Sequence, residues 1–162
     1  MAIEYFLKLD GIKSDSLSIK HKGEIELKAW SLGAANATSI SGSGLSAGKV
    51  SFSDITITKD VDSGSAKLLE LCCSGKHIPN GVLTCAKSTG DKNPADYLTL
   101  KFEEIHISSF QTGGSHGDDV GTESISFAFA KITYDFKVQN KDGTLAAAGT
   151  MFHDLTARET SS

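Results

Sequence analysis

The chain has 162 residues, 39% of them hydrophobic, with 16 basic and 20 acidic side chains and a formal net charge of −4. That length and apolar fraction suit one domain, 1–162, built on a single core. A slightly acidic balance argues against nucleic acid, whose phosphates select clustered positive charge. No run approaches the roughly 18 apolar residues that a spanning helix needs, so no membrane insertion is expected.

The chain opens on Met1-Ala2-Ile3-Glu4-Tyr5, with no basic patch leading into an apolar stretch. A cleaved export signal is therefore not expected, and folding is expected in the cytoplasm. Ile3, Tyr5, Leu7 and Leu9 alternate with Glu4, Phe6, Lys8 and Asp10, and Gly11 ends the run. Ile25, Leu27 and Ala29 alternate with Glu24, Glu26, Lys28 and Trp30. This period of two is that of strands with one face on a core. Between the two runs, Lys20-His21-Lys22 leads directly into Glu24 and Glu26, the pattern of a solvated strand end.

Gly33 to Gly48 carries no charge, no alternation and no helical stripe. An extended loop without regular structure is expected there, and loops of that length inside a compact domain are usually functional. Its small side chains would permit close approach of another backbone, so this segment is where the sequence itself points to a partner.

Val50 to Thr58, with Ile55, Thr56, Ile57 and Thr58, reads as the next strand. From Asp62 to Lys76 the rhythm changes: Ala66, Leu69 and Cys73 recur at three- and four-residue spacing. A helix of about three turns is expected, with Ser63 or Ser65 as its cap and Gly75 at the left-handed exit. Cys85-Ala86-Lys87 and Tyr97 to Phe102 then flank the turn-forming stretch Thr89 to Pro94, as a hairpin would. Ile125, Phe127 and Phe129 alternate with Ser124, Ser126, Ala128 and Ala130, and Ile132, Tyr134, Phe136 and Val138 carry the apolar side onward. Asn140-Lys141-Asp142-Gly143 marks a turn before a last strand near Thr150 to Thr156. Short, regularly spaced strands and one helix predict a mainly β fold, a barrel or sandwich with the helix packed on one side.

Chemistry is harder to find. Ser43-Gly44-Leu45-Ser46-Ala47-Gly48-Lys49-Val50 lacks both the first glycine and the final hydroxyl of a phosphate loop, and it leads into a strand rather than a helix. The five histidines, His21, His77, His106, His116 and His153, show no metal-ligand spacing, and Cys72, Cys73 and His77 lack a second ligand pair. Lys76 and His77 suit the end of the helix electrostatically. Cys72, Cys73 and Cys85 form no Cys-x-x-Cys pair and read as reduced apolar side chains. No Gly-x-Ser-x-Gly elbow is present, and Asp118-Asp119 lie in a glycine-rich loop. No catalytic residue, metal or cofactor is expected.

Several blocks nevertheless form a recognisable series. They run Phe6 to Ile12, His21 to Leu27, Trp30 to Gly33, Gly48 to Val50 with Asp54 to Lys59, Cys72 to Ile78, and Asp91 to Pro94 with Tyr97-Leu98. The last are Gly113-Gly114-Ser115, Thr122 to Ser126 and Phe129 to Ile132. Taken in order, they resemble the haemolysin-coregulated protein family, which builds the inner tube of bacterial type VI secretion.

The resemblance implies a small β-barrel of two sheets flanked by one α-helix, related to phage tail-tube proteins. It implies homohexameric rings that stack, are propelled outward by a contracting sheath, carry the spike protein at the tip and hold effector proteins in the lumen. The protein would then assemble in the cytoplasm and leave through the type VI system without a cleaved signal peptide. Ser39, Ile40, Ser41, Gly42, Ser43, Gly44, Leu45, Ser46 and Ala47 are the candidate inter-subunit or stacking segment. Ser31, after Trp30, is the candidate lumen contact, and the Ser63–Ser74 helix is a second inward-facing candidate. Two departures stand out: Met151-Phe152-His153-Asp154 where many members have a Gly-Trp pair, and Ser14-Asp15-Ser16 in place of Gly-Glu-Ser. The alternatives are a monomeric β-barrel binding module and, with no constellation to support it, a hydrolase.

Overall fold

The computed structural model of the chain describes residues 2–42, 44–87, 95–142, 144–157 and 159–161. In chain order the described elements are β1 (Ile3–Leu9), β2 (Ile25–Leu27), β3 (Ala29–Ser31), β4 (Ala34–Ser41), β5 (Gly44–Phe52), β6 (Ile55–Asp60) and α1 (Ser65–Ser74). There follow β7 (Ile78–Lys87), β8 (Ala95–Gly113), β9 (Thr122–Ala128), β10 (Lys131–Gln139), β11 (Leu145–Asp154) and β12 (Glu159–Ser161). The expected hairpin loop Thr89 to Pro94 lies outside the described residues, as does Gly143 of the second turn.

All pairings are antiparallel. One sheet runs β12-β11-β10-β8-β7-β1-β2, and a second runs β3-β6-β9-β8. The two share β8, whose first part pairs with β7 and β10 and whose last part, from His106, pairs with β9. Glu104 sits at this changeover with φ 54°, a left-handed residue that bends the strand from one sheet to the other. On the far side Lys28 makes the same transfer between β2 and β3, and its N–H donates to Thr58 O at 2.7 Å. The sheets are thus two walls joined along both seams, although the strand pairing is not continuous around the barrel. A strand of 19 residues is not the short unit that the sequence pattern suggests; it is long because it serves both walls.

The core is the inner phase of each alternating run. Leu7, Leu83 and Leu100 lie directly opposite one another across β1, β7 and β8 and are fully buried. Ile55, Ile57, Ile125 and Phe127 face them from the second sheet. Phe102 lies between Phe127 and Phe129, with ring centroids 5.5 and 5.0 Å away. Phe6 is an exception to the β1 alternation: it is buried on the outer face, where the His21 ring stacks on it at 4.4 Å. The expected strand Val50 to Thr58 is divided at Ser53 and Asp54. Ser53 turns the chain by donating its N–H to Gly33 O at 2.8 Å and accepting the Gly33 N–H on Oγ at 2.9 Å.

The helix forms where expected, but its buried stripe is Leu68, Leu71 and the half-buried Cys72, not Ala66, Leu69 and Cys73, which are exposed. Both sets satisfy a 3.6-residue period; two inward leucines bury more apolar area and win. Neither Ser63 nor Ser65 caps it. Gly64 is the N-cap, and Asp62 Oδ1 accepts the Gly64 N–H at 2.9 Å. Gly75 ends the helix with φ 68°, its N–H donating to Leu71 O at 3.0 Å, the exit glycine tolerates best.

Cys85 is fully buried, and burial pushes its thiol up to about 11, against smaller lowering contributions from hydrogen bonds to Trp30 and Tyr97. Since the thiolate is the nucleophile, Cys85 is expected to resist alkylation at pH 8 while the exposed Cys73 is modified. Peptide mass mapping after iodoacetamide checks this; rapid labelling of Cys85 in folded protein would contradict it.

Candidate functional site

The segment read as an extended loop without regular structure is a two-stranded sheet. β4 and β5 pair from Ala34↔Phe52 to Ser41↔Gly44, with an irregularity between Asn36 and Thr38. At 8 and 9 residues, and about 3.3 Å per residue, the hairpin reaches roughly 25 Å. Among the described residues its strands pair with each other and with no other strand. Alternation is missing from its sequence because the described side chains of β4, Ala34 to Thr38, are all exposed, so no buried face selects apolar residues at every second position.

Gly48 is required inside the hairpin itself: a Cβ there would lie 2.2 Å from Ala37 O. At the base, Phe52 packs on Phe129 and His153, each with centroids 5.6 Å away. A cleft of about 650 Å³ opens there between Ala34, Val50, Phe52, Met151 and Leu155. Of the candidate stacking residues, Ser39 to Gly42 and Gly44 to Ala47 fall on the distal strands and turn, and Ser43 lies outside the described residues.

Ser31 is exposed at the end of β3. Its row across the second sheet is Ser31, Thr56, Ser126 and Ser109, and the next row is Ala29, Thr58, Ser124 and Gln111. These side chains occupy the face opposite Ile57, Ile125 and Phe127. Thr56 Oγ1 and Ser126 Oγ hydrogen-bond at 2.9 Å. The result is an uncharged wall of hydroxyl and methyl groups with one amide, Gln111. The sequence singles out Ser31; only the register shows that it belongs to a surface. The helix candidate lies against β8, and its exposed side carries Ala66, Leu69 and Cys73.

Two charged clusters shape these surfaces and were not read from the sequence. Lys59 is fully buried; its Nζ lies 2.7 Å from Glu123 Oε1 and 3.0 Å from Asp62 Oδ1, and donates to Ser65 Oγ and Asp60 O at 3.0 Å each. Ser65 Oγ also donates to the Glu123 carboxylate, so the cluster ties the start of α1 to the β6–β9 pair. A signal existed: Lys59 and Glu123 occupy the inner phase of their strands, in step with Ile57 and Ile125.

The second cluster holds the β1–β2 connection. It corrects the reading of Lys20-His21-Lys22 before Glu24 as a solvated strand end, because the His21 ring is buried on Phe6 with a carboxylate at each nitrogen. His21 Nε2 lies 3.0 Å from Asp96 Oδ1, and Nδ1 pairs with Glu24. On the other side of the same loop Asp15 accepts hydrogen bonds from the Ser63 hydroxyl and, at 2.9 Å, from the Ser63 N–H, which hold its carboxyl below the usual range. Among the described residues no group of three or more His, Cys, Asp or Glu is placed to hold a metal ion, and no described helix is long and apolar enough to cross a membrane.

Comparison with known proteins places this architecture. A family model described as type VI secretion system effector, Hcp, matches residues 6–136. Protein hcp1 of Pseudomonas aeruginosa is 38% identical over 144 residues, 88% of each chain. Among solved structures, a type six secretion system protein superposes with a TM-score of 0.91 at 29% identity, covering 99% of this chain and 100% of that one. Hcp1 from Salmonella typhimurium gives 0.80 at 30% identity, covering 99% of each. The two-walled barrel with its flanking helix is therefore the fold of type VI secretion proteins. The chain belongs to the haemolysin-coregulated protein (Hcp) family, and it is a structural subunit of the type VI secretion tube.

Proposed function

We propose that the chain assembles into homohexameric rings, and that the β4–β5 hairpin of each ring reaches the next so that rings stack. The tube then works with the spike protein and sheath, and it holds effectors against the neutral wall that contains Ser31. It needs no cofactor and catalyses no reaction. It assembles in the cytoplasm and is secreted through the type VI system.

The observation that carries this reading is the hairpin. An isolated two-stranded hairpin is marginal in water, and its open edges present unpaired N–H and C=O groups to any other chain. Here both strands leave the barrel at Gly33 and Ser53 and, among the described residues, find no further strand in their own subunit. A second copy supplies the missing cover. The hairpin is uncharged up to Gly48, with Lys49 near its base, so copies approach its distal part without charge repulsion. The Ser31 wall, equally uncharged, suits varied cargo because it imposes no charge pattern.

Deleting 39–47 tests the proposal. The deletion removes only residues distal to the Gly33–Ser53 clamp, so the circular dichroism spectrum of the barrel and its hexamer mass by light scattering are expected to persist. Tubes in negative-stain micrographs are expected to disappear. Tubes formed by the deletion variant would refute the stacking role. A wild-type chain that stays monomeric at all concentrations would favour the binding-module reading, since the two states differ about sixfold in mass.

A further inference from the structure

The inner face of the first sheet does not stop where the barrel does. Leu100, fully buried on β8, lies directly opposite Tyr134 on β10, and Tyr134 opposite Met151 on β11. Leu98 similarly leads to Phe136 and Gly149. These residues continue the apolar face past β8, beyond the reach of the second sheet, and Tyr134 is 38% exposed as a result. With Thr150 they line a recess of about 450 Å³.

At the opposite end of the same strand order, the loop between β1 and β2 presents Leu17 at 87% exposure and Ile19 at 71%. This loop is held on both sides of the pair, by Asp15 on Ser63 and by His21 between Phe6, Glu24 and Asp96. Its backbone is also closed on itself, with Gly23 N–H donating to Ser16 O at 2.9 Å. Two aliphatic side chains are thus pre-positioned in water on a braced support, which lowers the ordering cost of binding.

We propose that Leu17 and Ile19 of one subunit seat in the Tyr134–Phe136–Met151 recess of the next subunit around the ring. The occupant is a second copy of this chain. A closed ring needs a heterologous contact between two different patches of one chain, and a tube subunit meets its own copies. The protruding pair and the recess are two such patches, matched in apolar character and placed at opposite ends of one sheet. The contact rests on the ring reading above and adds the residues that make it lateral, apart from the hairpin that stacks.

The test uses the full chain. Leu17→Lys with Ile19→Lys is expected to lower the mass seen by light scattering about sixfold. The melting temperature of the barrel should not fall through lost packing, because both side chains are already in solvent. Separately, Leu17→Cys with Met151→Cys, in a Cys72→Ser and Cys73→Ser background, is expected to give a ladder of oxidised multimers on non-reducing gels, since Met151 stands on the Tyr134 face. Neither single cysteine variant should give one. Rings that survive the double lysine variant at wild-type concentration, or intact rings that yield no ladder, would overturn this contact alone. Wild-type protein that never forms rings would overturn it together with the ring reading.

Discussion

Glu123→Ala is expected to destabilise the fold by about 3–5 kcal/mol, the usual cost of removing one partner from a buried ion pair. The substitution strands Lys59 Nζ, which has no exposure of its own and loses its shortest contact, at 2.7 Å. Asp62 remains 3.0 Å away but is also engaged by the Gly64 N–H. Ser65 Oγ loses the nearer of its two acceptors at the same time, keeping Asp62 Oδ1 at 3.3 Å, so the start of α1 loosens along with the β6–β9 pair. The companion variant Lys59→Met with Glu123→Leu replaces both buried charges by apolar groups and is expected to lie within about 1–2 kcal/mol of wild type, because Asp62, which loses its cation, still accepts the Gly64 N–H. Guanidinium unfolding at fixed protein concentration measures both. Equal losses in the two variants would show that volume, not charge, makes the site sensitive.

Phe102→Ala is expected to cost a similar amount, about 3–5 kcal/mol, for a different reason. Phe102 is 1% exposed and meets Phe127 edge-on, the planes at 86°, with Phe129 on its other side. It stands on β8 shortly before the strand passes from one sheet to the other, opposite Gly81 on β7 and Ile132 on β10. The ring therefore fills the space between the walls where the β10 extension begins, and its neighbours are held on three strands and cannot collapse into the hole. Phe102→Leu keeps most of the volume and should recover more than half of the loss. If Phe102→Ala unfolds within about 1 kcal/mol of wild type, the packing argument fails.

Both losses fall on the barrel, whereas the proposed stacking hairpin and the proposed Leu17–Ile19 contact lie on parts that the barrel carries. The hairpin leaves through the Gly33–Ser53 clamp, and the Leu17–Ile19 loop is braced from outside. Changes at the distal hairpin are therefore expected to abolish tubes with the ring mass intact, and changes at the exposed pair to lower the ring mass, neither altering folding.

Local periodicity already carries much of this fold. Ile55–Ile57 and Ile125–Phe127 read as strands because one of their faces is buried. Gly75 reads as a helix exit because a left-handed residue is needed there, and the ordered blocks from Phe6 to Ile132 point to the family. Periodicity says nothing where no face is buried, which is why Ala34–Phe52 looks structureless yet forms paired strands. It is also ambiguous where two stripes share one period, which is why Ala66, Leu69 and Cys73 were expected inside while Leu68 and Leu71 are there. Lys59 and Glu123 sit in the buried phase of their own strands, but that they answer one another depends on β6 pairing with β9. Likewise Tyr134 and Phe136 read as core, and only the tertiary structure shows that the opposing wall ends before it reaches them. Strand patterning is a property of neighbouring residues; what covers a face depends on segments far away in the chain.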